Sequence, residues 1–163
     1  MKNGFANRVG AAAMVIALIT SAAIFFGTAH SHTGATGIVK ERMDLMQVLA
    51  KSVKAIKGAI IAPGAPTDAG RRTIAASAAI IEEHALRMLK MFPKGSNDHP
   101  SEALASIWTD WPGFEKSARS LATVAGDLKT TSAKGDRATL LKGFVTMART
   151  CGGCHADYRK KKQ

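Results

Sequence analysis

From Ile38 onward apolar residues recur at steps of three and four, and no stretch alternates apolar with polar residues as a half-buried strand would. Four segments carry the pattern. In the first, Met46, Leu49, Val53, Ile56 and Ile60 form a stripe, with Lys40, Glu41, Lys51 and Lys54 on other faces, and Pro63-Gly64-Ala65-Pro66 stops it. The second opens at Thr67 or Asp68, either a suitable N-cap, aligns Ile74, Ala78, Ile81, Ala85 and Met88, and stops at Pro93 and Gly95. The third aligns Phe114, Ala118, Leu121, Ala125 and Leu128, and Gly135-Asp136 separates it from the fourth. That last helix, from about Asp136 to Arg159, puts Leu140, Phe144, Met147, Cys151, Cys154 and Tyr158 on one side, so both cysteines face the core.

Four helices with one apolar seam each predict an all-α fold, an antiparallel four-helix bundle. The connection from Phe92 to Gly113 holds three of the five prolines and both tryptophans. A connection that long inside a compact domain has local structure or a function of its own. It reads as a packed crossover with a short turn around Ala103 to Trp108, and with Trp108 and Trp111 against the bundle.

The N-terminus has a different pattern. Lys2 and Arg8 precede a run from Val9 to Ala29 without one charged residue. This predicts an export signal over residues 1–29, cleaved after the small-x-small Gly27-Thr28-Ala29, and a periplasmic destination. A run of about 20 apolar residues also suffices to span a bilayer, so an uncleaved anchor is the alternative. Residues 30–37 read as a flexible new N-terminus and 38–163 as one domain.

Lys2 and Arg8 are two of 23 basic residues, so the chain beyond Ala29 holds 21 against 12 acidic ones and is strongly cationic. Such a surface suits acidic protein partners or anionic membranes. Export and the absence of a recognition motif argue against nucleic acid. Membrane association is expected only if the N-terminal segment stays uncleaved.

The chemistry lies in Cys151-Gly152-Gly153-Cys154-His155. Two thiols three positions apart on a helix project from nearly the same side, so both can add to the vinyl groups along one porphyrin edge. His155, beside Cys154, can then give the iron an axial nitrogen. A zinc site needs four ligands, and the chain has no further cysteines to complete one. A thioredoxin-like pair opens a helix after a strand, whereas this pair closes a helix in a chain without strand patterns. Two cysteines in an exported chain could also form a plain disulfide, but their spacing argues otherwise. The motif therefore predicts one covalent haem c per chain, and no catalytic residues are expected.

The chain from about Ile38 to Arg159 resembles the class II c-type cytochromes, the cytochrome c′ family with its low-spin relatives. Three features carry the likeness: the C-terminal haem motif continuing as Ala156-Asp157-Tyr158-Arg159, the N-terminal Arg42-Met43-Asp44-Leu45-Met46, and Ile107-Trp108 followed by Phe114. The resemblance implies a haem held between helices, with His155 on one face and the side chain at position 46 over the other. In cytochrome c′ that side chain does not bind, and five-coordinate iron takes up nitric oxide or carbon monoxide. In the low-spin branch a methionine there is the sixth ligand of an electron carrier.

Met46 favours the low-spin branch, a His155/Met46-ligated single-electron carrier, with the five-coordinate gas binder as the alternative. Met46 as core filling is the plainer reading of the same residue. Met43 lies off the stripe, and Met88, Met91 and Met147 read as core or helix-end residues. Arg42, one turn before Met46, is expected to pair with a haem propionate. Arg159 acts similarly or complements the dipole of the last helix. His84 is expected to be exposed and His99 to lie in a loop, and His30 and His32 are assigned no role. Docking to an acidic redox partner would use Arg159, Lys160, Lys161 and Lys162. The resemblance allows monomer or homodimer.

Overall fold

The computed structural model describes residues 34–161. The predicted 1–29 segment, His30, His32 and Lys162 lie outside that range. Five α-helices follow in order: α1 Gly37–Ile61, α2 Asp68–Met88, the short α3 Ser106–Thr109, α4 Trp111–Thr131 and α5 Arg137–Tyr158. The long four form the predicted bundle, and α3 is the turn expected in the crossover.

Local chemistry sets the helix ends. Gly64, at a φ of 69° that suits glycine, turns the chain between α1 and α2. The Thr67 hydroxyl accepts a 3.0 Å hydrogen bond from the Gly70 amide at the start of α2, as the N-cap pattern predicts. The Asp110 and Asp136 carboxylates do the same for α4 and α5, accepting from the amides of Gly113 and Thr139. α2 ends earlier than expected, at Met88, because the chain tightens into a 3₁₀ turn over Leu89–Met91 before reaching Pro93. α4 starts earlier than its stripe, at Trp111, because Pro112 fits the first turn of a helix.

Neighbouring helices run antiparallel. Gly70 approaches Ala59 across α1 and α2, where a Cβ would lie 3.4 Å from the Ala59 carbonyl oxygen. The Lys129 ammonium meets the Glu82 carboxylate at 2.5 Å across α2 and α4. The Arg71 guanidinium donates to the Ser132 and Gly135 carbonyls at 3.0 and 2.8 Å, closing the end of α4. Arg137 donates to the Ile61 carbonyl at 3.1 Å, joining the far ends of α1 and α5.

The seams of α2 and α4 are buried as their periodicity predicts: Ile74, Ala78, Ile81, Ala85 and Met88, and Phe114, Ala118, Leu121, Ala125 and Leu128. The seam of α1 is turned by one position. Arg42, Leu45, Leu49, Ser52, Ile56 and Ile60 are buried, while Met46 and Val53 are only half-buried. On α5, Leu140, Met147 and Tyr158 are buried, and Phe144, Cys151 and Cys154 are half-buried. Among the described residues no helix is long and apolar enough to cross a membrane.

Candidate haem site

The half-buried seam residues are not scattered. Met46 and Val53 belong to α1, and Phe144, Cys151 and Cys154 to α5, whereas the α2 and α4 stripes are fully covered by protein. Apolar side chains that the sequence assigns to the core, and that the helices cover only partly, thus lie on the two helices that the family resemblance sets on either side of the macrocycle. A flat apolar group held there completes their burial.

Partial burial also tunes the thiols. Burial raises Cys151, and burial with the neighbouring Cys151 and Asp157 pushes Cys154 up to about 11. Both remain thiols near neutral pH, unlike the thiolates of a zinc site or of an activated nucleophile. His155 is exposed in the last turn of α5, and partial desolvation followed by the nearby Arg159 charge lowers its pKa. A neutral imidazole keeps the lone pair that a metal requires.

Arg42 is the strongest indication of a missing anion. Its side chain is buried at 6% exposure, stacked with its guanidinium carbon 4.5 Å from the centre of the Phe92 ring. One terminal nitrogen donates to the Ser96 carbonyl, and the other, Nη1, is buried with no partner. A buried, half-satisfied cation is costly unless an anion completes it. A haem propionate has the required charge and acceptor geometry, so the donor set fits a haem: two adjacent thiols, an imidazole, and a cation lacking an anion.

From Phe92 an aromatic cluster leads across this end of the bundle. Phe92 meets Phe114 edge-on at 4.9 Å between ring centres, and Phe114 meets Tyr158 at 5.4 Å. Trp108 is half-buried and donates from its indole nitrogen to the Phe92 and Pro93 carbonyls at 3.0 Å each. Trp111 packs on Phe114 at 5.5 Å. Both indoles are therefore set against the bundle.

The remaining candidates divide. Arg159 pairs with Glu102 at 2.5 Å, and Lys160 donates to the Ser101 carbonyl at 3.1 Å, so both tie the end of α5 to the crossover. His84 is half-buried instead of exposed, with Nδ1 shielded and unpartnered, because its position on α2 borders the seam of Ile81, Ala85 and Met88. His99 lies exposed in the loop before Pro100. Periodicity could not expose the roles of Glu102 and Asp110, whose partners Arg159 and Tyr158 are 57 and 48 positions away.

The family model described as Cytochrome C′ matches residues 37–159. The chain belongs to the cytochrome c′ family. Like that family it is a haem protein with one covalent haem c per chain. It is 27% identical over 128 residues to the cytochrome c′ of Rhodocyclus tenuis, covering 76% of this chain and 94% of that protein. It superposes on the cytochrome c′ of Rhodopseudomonas palustris with a TM-score of 0.69 at 25% identity, covering 79% of this chain and all of the other. A variant of the cytochrome c prime from Alcaligenes xylosoxidans, solved as a nitric oxide complex, has the same fold, with a TM-score of 0.65 at 22% identity over 76% of this chain and 94% of that one. The expectation of the low-spin His/Met branch gains no support from these relatives, which are cytochromes c′.

Proposed function

We propose that this protein is a periplasmic monohaem cytochrome c′ whose five-coordinate iron binds nitric oxide or carbon monoxide. The observation that carries the proposal is the Cys151-x-x-Cys154-His155 motif at the end of α5, inside a chain matched along residues 37–159 by the cytochrome c′ family. Cys151 and Cys154 would hold the haem, each adding its S–H across a vinyl group to leave a thioether. His155, held neutral, would give the iron a nitrogen ligand. Arg42 would hold a propionate on its unpartnered Nη1, and the Arg159 charge stands beside His155, paired with Glu102.

The bound haem supplies an iron that cycles between ferric and ferrous and, when ferrous, takes up a diatomic gas. On α1, the half-buried Met46 and Val53 would lie against the haem and help to exclude water. Met46 there acts as a flexible apolar cover, consistent with its half-buried place at the edge of the α1 seam. The nitric oxide complex of the Alcaligenes xylosoxidans variant supports this reading.

The second reading, a His155/Met46-ligated electron carrier, is favoured by one observation: Met46 is a soft sulfur ligand one helical turn from Arg42, on the side where the macrocycle is expected. Carbon monoxide distinguishes the two. Ferrous holoprotein with five-coordinate iron binds it promptly and shifts its Soret band, and an unchanged spectrum under excess gas overturns the proposal. Residues 1–29 are read as the signal that exports the chain, and the mass of the mature protein tests cleavage after Ala29.

A further inference from the structure

α5 is apolar on two sides. Its inner stripe joins the bundle, but at about 100° per residue Leu141, Val145, Gly152 and Ala156 fall on a second stripe facing solvent. Leu141 is 44% and Val145 37% exposed, and Gly152 and Ala156 are exposed too. An outward apolar row adds nothing to this fold, and here it leads to the cysteine pair.

The two glycines of the motif sharpen the point. A Cβ built on Gly152 or Gly153 meets nothing within 4 Å, and neither residue has a positive φ. Neither crowding nor backbone conformation requires glycine there, although glycine weakens a helix relative to alanine. Both positions point away from the side of α5 that carries Cys151 and Cys154. They leave bare helix backbone at the outer edge of the thiol pair, where an approaching surface comes closest to the site.

Cations border this stripe. Lys142 and Arg149 flank it and Lys161 follows the helix end, all three exposed, and none is in an ion pair among the described residues. The only carboxylate within α5 is Asp157. We propose that this face of α5 is the docking surface for an acidic protein electron donor, one presenting carboxylates around an apolar patch, with Gly152-Gly153 as the point of closest approach.

The proposal rests on the haem reading above, since iron must be ferrous to take up carbon monoxide. One electron leaves the donor's reduced centre and converts ferric to ferrous iron, with no bond made or broken. A second copy of this chain fits the face poorly, because it would set Lys142 and Arg149 near their own kind. The stripe also lacks the Trp and Phe side chains that anchor a helix at a lipid interface.

The test uses the holoprotein and a reduced acidic flavodoxin as donor. Haem reduction followed by stopped flow slows by about tenfold in Arg149→Glu at low salt, and the gap closes as salt rises. Lys116→Glu, an equal charge change at an exposed position of α4, keeps the wild-type rate, and a small neutral reductant reduces all variants alike. Gly152→Ala/Gly153→Ala transfers more slowly yet melts higher. Oxidised flavodoxin added to the diamagnetic ferrous carbon monoxide complex shifts the amide signals of Val145, Arg149, Gly152 and Gly153. Equal rates for Arg149→Glu and Lys116→Glu, or shifts confined to another face, overturn the proposal. So does a shift of these amides by phosphatidylglycerol vesicles without a response to flavodoxin. Carbon monoxide uptake by the ferrous protein, measured separately in Arg149→Glu and Lys116→Glu, reports on the gas-binding reading and is unchanged in both.

Discussion

The Tyr158 hydroxyl donates a 2.8 Å hydrogen bond to Asp110 Oδ2, while Asp110 Oδ1 caps α4 by accepting from the Gly113 amide at 3.2 Å. One carboxylate thus joins the start of α4 to the turn of α5 that follows His155. A Cβ on Gly113 would collide with both the Asp110 carboxylate and the Tyr158 hydroxyl. Asp110→Ala is expected to cost about 1 kcal/mol through the lost cap alone, with a further loss from the stranded Tyr158 hydroxyl. Urea unfolding of the holoprotein should rank it below Tyr158→Phe in stability, with Gly113→Ala also destabilised.

The same bond sets a pH dependence. The hydrogen bond to Asp110, then burial and nearby carboxylates, push the Tyr158 phenol up to about 12, above the ordinary value of about 10. A pKa raised on folding contributes stability that is complete below the unfolded value and is lost as pH rises through the folded one. Wild-type protein should therefore lose stability between about pH 10 and 12, and Tyr158→Phe should lack that part of the loss. Unfolding midpoints on either side of the window measure it.

Arg42 and Glu102 should move the haem potential in opposite directions. Arg42→Gln removes a buried cation from the proposed propionate and favours ferric iron, so the midpoint potential falls. Glu102→Gln removes an anion that acts on His155, so the potential rises. Side chains in the Glu102–Arg159 pair are 44% and 37% exposed, so breaking that pair should change stability by less than about 1 kcal/mol. Spectroelectrochemical titration of both variants checks the signs.

Core and site residues should separate in their effects. Ile81 is 1% exposed within the α2 seam, and Ile81→Ala should cost about 2–5 kcal/mol by transfer and cavity terms. Val53, half-buried on α1, which is proposed to face the haem, should cost less as Val53→Ala and should instead change the rate of carbon monoxide uptake. Denaturation curves and flash-photolysis rebinding give the two readouts.

The α2 and α4 seams were legible because five residues at steps of three and four admit only one helical face, and the Thr67 cap lies where the α2 pattern begins. On α1 the rule was ambiguous. Leu45-Leu49-Ser52-Ile56 and Met46-Leu49-Val53-Ile56 both satisfy it, and tertiary contacts of Arg42 with Phe92 and Ser96 decide between them. Polarity counted against placing Arg42 and Ser52 inside, yet both are buried. The Cys-x-x-Cys-His motif was readable at once because its chemistry is local. The Asp110–Tyr158 and Glu102–Arg159 ties were not, since pairing across two elements leaves no periodic trace.

Met46 is proposed to cover the iron without binding it. Optical spectra of the ferric and ferrous holoprotein, without added ligand and beside Met46→Leu, test it most directly. High-spin spectra are expected in both oxidation states, and Met46→Leu should leave them essentially unchanged. A low-spin wild-type spectrum with a sulfur-to-iron charge-transfer band at the red end of the visible, lost in Met46→Leu, would contradict it and make the protein a His155/Met46 electron carrier.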